Sequence, residues 1–231
     1  MDIFEITVPG YTLRRDPSVP RVDGMSDVEQ LLSHLETCFF DANLALILFD
    51  QAWQHFQHLL SDRDARQPYK DARQNLDAKR ALWQSGVLPW DFNSRSLHMH
   101  AHSFVFALEG FWRALGQLQG LASASAVLGG LRDRIKAEVP DLVGVRDSAH
   151  HADERVQGLV KSKPLPNPLA GDGRSELVVS VLHGQGLEYT KADGHRGRVE
   201  ITPGTLQVFQ LVLQELVNAF SWEGPPRHLP H

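Results

Sequence analysis

The chain has one cysteine in 231 residues, Cys38, so no internal disulfide is available. It has no surplus of positive charge. With 23 Lys+Arg against 28 Asp+Glu the formal net charge is −5, which excludes nucleic-acid binding by bulk positive charge and leaves only a local basic patch to be sought. Long hydrophobic runs are missing too. The longest purely apolar stretch, Leu44 to Phe49, is closed by Asp50, whereas a membrane span needs about 20 apolar residues. The opening MDIFEITVPGYTLRRDP has no apolar core of the secretory type. There is no glycine-rich phosphate loop, no nucleophile elbow and no paired-cysteine zinc spacing, and no segment repeats. These absences give the expectation of a cytoplasmic protein with no membrane contact and no cofactor.

What is present is the composition of an ordinary folded domain, 42% hydrophobic and 22% charged. From Ser26 to Leu60 the residues Leu31, Leu35, Cys38, Ala42, Ala45, Phe49, Ala52, Phe56 and Leu59 alternate spacings of four and three. They predict one long helix with a wide buried face, capped by Ser26 with Glu29 three residues on. Ser61-Asp62-Arg63-Asp64 reads as a second N-cap, leading a polar helix to about Gln84, with Pro68 kinking it or marking its true start. After the loop SGVLPWDFNS, the seam Leu97, Ala101, Phe104, Leu108, Phe111, Leu115 and Leu118 predicts a third helix. Two shorter ones follow, about 123–139 and 140–160, the latter with Pro140 in its first turn.

KSKPLPNPLAGDGRSE, with three prolines and two glycines, reads as an irregular linker over 161–176. Beyond it, 177–182, 187–190 and 198–201 are short β-prone runs joined by glycine-containing turns, a small antiparallel meander. Thr202-Pro203 then caps a last helix with the seam Leu206, Phe209, Leu213, Leu216 and Phe220. The expected fold is mainly α: a helical bundle with a small antiparallel β-meander near the C-terminus, α+β overall. Its expected division is a bundle with an N-terminal extended segment over 1–160, the linker over 161–176, and the meander with its helix, packed on the bundle, over 177–231. The last helix is the expected cover of the meander, and Ile3 to Leu13 its candidate edge strand.

The stretch from Asp141 to Val156 carries most of the candidate chemistry. On one continuous helix, Leu142, Val145, Ala149, Ala152, Val156 and Leu159 form a buried seam. Arg146, His150, Asp153 and Gln157 fall on one flank, and Ser148, His151 and Arg155 on the other. Read plainly, this is a solvated face whose charges pair along the helix. The order Arg146-Asp147, three residues, then His151 also resembles the signature of the HEPN superfamily, and the helical setting agrees. That resemblance implies a small α-helical bundle, often a homodimer, acting as an RNA-binding or protein-interaction module or as a metal-independent endoribonuclease. It casts Arg146 and His151 as the catalytic pair and Asp147 as the intervening polar residue, with the adjacent His150 competing for the histidine's role. In such chemistry the histidine takes the ribose 2′-OH proton and the arginine stabilises phosphate charge. An unbroken helix points Arg146 and His151 about 140° apart, so they converge only across a dimer interface or a distorted turn.

Two further constellations bear on partners. Arg66, Lys70, Arg73 and Arg80 line one face of the polar second helix, a candidate RNA-backbone track, although Asp62 and Asp77 stand at pairing distance along it. His98 and His102, four residues apart, have metal-ligand spacing, and His150, Asp153 or Glu154 would have to complete the shell. No compact ligand set is apparent, so no metal is expected. The surplus of apolar stripe on the long helix and the Ala149/Ala152 seam predicts a homodimer.

Overall fold

A computed structural model describes residues 3–14, 24–62, 67, 70, 75–121, 125–166 and 180–230. Among these the chain is mainly helical, with short antiparallel strand pairs. The helices are α1 (Gly24–Ser61), α2 (Leu76–Gln84), α3 (Trp90–Gln119), α4 (Ser125–Glu138), α5 (Leu142–His150), α6 (Ala152–Val156) and α7 (Pro203–Asn218).

α1 and α3 form the spine. They run antiparallel: the Phe56 ring lies 5.9 Å from Trp90 at one end, and Gly110 faces the Cys38 Sγ nearer the other. The expected seam of α3 is buried throughout, and α1 buries Leu35, Cys38, Ala42, Ala45, Phe49 and Leu59. By length and composition alone α1 is also a helix that could cross a bilayer, a property that core helices share. It begins at Gly24, so Ser26 lies inside it rather than at its cap, and Ser61 closes it rather than starting a second helix. In the polar stretch expected to be helical, Gln67 and Lys70 are helical, and α2 is capped separately by Asn75, whose side chain accepts from the Asp77 and Ala78 amides. Pro68 lies outside the described residues.

α4 and α7 pack on the spine and on each other, with Phe111 and Phe209 meeting edge to face at 5.3 Å. Thr202 caps α7, accepting from the Thr205 amide, with Pro203 in the first turn, as its sequence predicts.

The meander is present: β5 (Val181–His183), β6 (Gly186–Thr190) and β7 (Arg196–Glu200) pair in that order, antiparallel. Its cover differs from the expectation. α5, not α7, lies across β6 and β7. The close approach is possible because Gly144 of α5 and Gly197 of β7 clasp the Lys191 stem between them, leaving no room for a Cβ at either position. The Asp141 carboxylate completes the joint, accepting from Lys191 Nζ at 2.9 Å and from the Arg198 amide at 3.1 Å.

The N-terminal strand does not extend the meander. β1 (Ile6–Val8) pairs with β9 (Arg227–Leu229), and β2 (Thr12–Leu13) with β8 (Trp222–Glu223), segments too short to show a period in sequence. Side-chain amides satisfy the remaining edge of the N-terminal segment: Gln214 both donates to and accepts from the Thr7 backbone at 2.8 Å, and Gln210 and Asn43 donate to the Glu5 and Phe4 carbonyls.

The expected continuous helix over 140–160 is broken. Pro140 precedes α5 instead of entering its first turn, and α5 and α6 are separated by His151 with φ −105° and ψ 37°. Val156 is therefore exposed, and Leu159 begins a hairpin of β3 (Leu159–Val160) and β4 (Lys163–Pro164). The hairpin takes up the start of the expected linker. Lys161 and Ser162 turn it with positive φ, and Pro164 is tolerated on a two-stranded ladder. Residues 167–176 of that linker lie outside the described residues.

Candidate functional site on the α3–α5 face

Glu109 sits on α3 with its side chain 3% exposed, a carboxylate inside an apolar helix pair. Such a charge is retained only where cations meet it. Arg113, one turn on, binds its Oε1. Arg146 arrives from α5 with its Nε 3.2 Å from the other oxygen, an ionic contact whose N–H is not aimed for a hydrogen bond. The Arg146 guanidinium also reaches Asp147 at 3.4 Å and lies over the Phe106 ring, 5.1 Å from its centroid. Arg113 closes the group at 3.7 Å from Asp147. Two arginines and two acids thus fix α5 onto α3.

Arg146 and Asp147 are brought together, but with Glu109 and Arg113. His150 and His151 are both exposed, their rings edge to face at 4.9 Å, and no contact joins either to Arg146 among the described residues. The flank assigned to Ser148 and Arg155 is buried instead. Arg155 donates to the Leu159 carbonyl at 2.7 Å and touches Ser148 Oγ at 3.5 Å, because the break at His151 turns it inward. Of the basic track, Lys70 is exposed. Arg80 stands 3.8 Å from Asp77, the pairing expected, and Arg66 and Arg73 lie outside the described residues.

His98 and His102 do not converge on an ion site. His98 Nδ1 meets the Ser94 carbonyl at 3.1 Å, and His102 Nε2 meets Tyr189 Oη at 2.7 Å and Ser180 Oγ at 3.3 Å. Among the described residues no group of three or more His, Cys, Asp or Glu side chains is placed to hold a metal. The His102–Tyr189 bond joins α3 to β6. Burial, then the charges of His98 and Arg95, push the His102 pKa down. The unfolded chain therefore binds the His102 proton more readily than the folded one, and the stability that the neutral His102 contributes is present above about pH 6.5 and falls as the pH drops below it. Thermal melts at pH 7.5 and 5.5 should show an acid loss that shrinks in His102→Gln. An equal loss in both proteins would mean that His102 is not its source.

Beside the ion group, a groove of about 530 Å3 runs between α1 and α3, lined by Leu44, Ala45, Leu48, Phe106, Ala107 and Gly110 together with His34, Cys38, Asp41, His100 and Ser103. Burial, with Asp41 and Glu109 nearby, pushes the Cys38 thiol up to about 11, which makes it a packing residue rather than a nucleophile. Sequence reasoning missed Glu109 and Arg113. Their signal was a charged pair at i and i+4 beside the Leu108–Phe111 seam, and nothing in the sequence showed Arg146 to be their neighbour. No family model, no curated protein and no solved structure matches the chain.

Proposed function

We propose that this chain is a helical interaction module, resembling the HEPN superfamily in its Arg146-to-His151 motif, which works by protein–protein contact through the face made by α1 and α3 and bordered by Arg146. The observation that carries this reading is the use of Arg146: its guanidinium is held by Glu109, Asp147 and the Phe106 ring beside an open apolar groove. A cation already paired with two carboxylates is poorly placed to receive a phosphate, and well placed to hold the rim of a contact surface rigid.

The test is incubation of the purified chain with a mixed RNA pool in the presence of a chelator, alongside Arg146→Ala and His151→Ala. No cleavage and no retention of RNA at physiological salt is expected from any of the three. Cleavage by the wild type that disappears in both variants would replace this reading with the endoribonuclease. As a contact surface the face is also not needed for folding, so Leu44→Ser, at a position 56% exposed, should change stability by about 0.5 kcal/mol or less.

A further inference from the structure

We infer that the outward stripe of α3 receives a second copy of this chain, lying antiparallel across a two-fold axis at the level of Ala101; the inference rests on the interaction-module reading and names its partner. Three large apolar residues of α3 face solvent at intervals of seven: Phe92, Met99 and Phe106, respectively 59%, 66% and 36% exposed. A seven-residue repeat on an α-helix is the spacing of a helix–helix seam. Each is followed, four residues on, by a small one: Ser96, Ser103 and Gly110. The two serine hydroxyls are turned back onto the carbonyls of Asn93 and Met99, leaving small, internally satisfied surfaces. Gly110 keeps the surface low over Cys38, whose Sγ would lie 3.2 Å from any added Cβ.

The alternation is palindromic about Ala101. Turned end for end, the stripe sets Phe92 against Gly110, Met99 against Ser103, and Phe106 against Ser96, so that every bulky residue of one copy meets a small residue of the other. A surface shaped for an unrelated partner has no need to complement itself, whereas an isologous interface requires it. From Phe92 to Arg113 the stripe is about 30 Å long, and the α1–α3 groove with the exposed Leu44 widens it on one side.

Light scattering on the purified chain at tens of micromolar should give twice 25.9 kDa. Met99→Glu and Phe92→Glu, both at exposed positions, should keep the helical circular dichroism of the wild type while raising the dimer dissociation constant about 30-fold or more. The register has its own readout. A mixture of Met99→Cys and Ser103→Cys chains should form an interchain disulfide on oxidation, and either chain alone should not. A wild-type monomer overturns the second-copy partner but leaves the interaction-module reading standing, since a different protein would then cover the face. A dimer insensitive to Met99→Glu, or one in which Met99→Cys links to itself, overturns this interface. Cleavage of RNA would instead sink the underlying reading, a result that mass measurements do not mimic.

Discussion

Glu109→Ala should lower the free energy of unfolding by about 3 kcal/mol, because it leaves the largely buried Arg146 without its deepest partner. Arg113→Ala, which removes a half-exposed arginine from the same carboxylate, should cost less than about 1 kcal/mol. The contrast matters more than either value. Urea unfolding of both variants, with Glu109→Leu/Arg146→Met as a third, measures it. The double variant should recover most of the loss, since a buried ion pair can be exchanged for apolar groups of similar volume at little cost. Equal, small losses in both single variants would mean that the ion group does not secure α5 on α3, and that Arg146 is free for another role.

A larger loss is expected at the centre of the core. Phe111→Ala should cost about 4 kcal/mol, since Phe111 is fully buried and its ring stands edge-on to the equally buried Phe209. Phe106→Ala, five residues away and partly exposed, is the internal control and should cost about 1 kcal/mol. The Phe111–Phe209 contact also decides the division of the chain. With α3 and α7 sharing one core, Phe111→Ala should shift a single cooperative transition seen equally by tryptophan fluorescence and helical dichroism. Two separated transitions would instead mark residues 177–231 as a unit that folds by itself.

The elements written clearly in the sequence are those whose apolar period runs long enough to be counted. α1, α3 and α7 are such helices, and the Thr202-Pro203 cap and the glycine turns of the meander add local chemistry that needs no tertiary context. The misreadings arose where a short segment has no period of its own. β8 and β9 are two and three residues long, and their partners lie at the far end of the chain. The break at His151 turns Arg155 in toward Ser148 and the Leu159 carbonyl, although helical spacing places it on a solvated flank. At the candidate site, Arg146 and Asp147 stood out as residues, but their meaning came from Glu109, 37 positions earlier. A sequence pattern shows which charges share a helix. It does not show which charge waits across the interface.

The pairing of β1 with β9 and of β2 with β8 bears on how the molecule is assembled in time. Thr7 takes its amide partner from Gln214 and faces His228, more than 200 residues later. During synthesis the first strand has no ladder to join until residues 222–229 have been made. The α1–α3 hairpin, built from nearer contacts, can form long before that. Closing so long a loop should come late, so the strand-pair clasp is expected to form after the spine. The same order reversed describes fraying: the clasp should be the first part to open under mild denaturant, exposing Ile6, Val8 and Leu229 while the helical spine still stands.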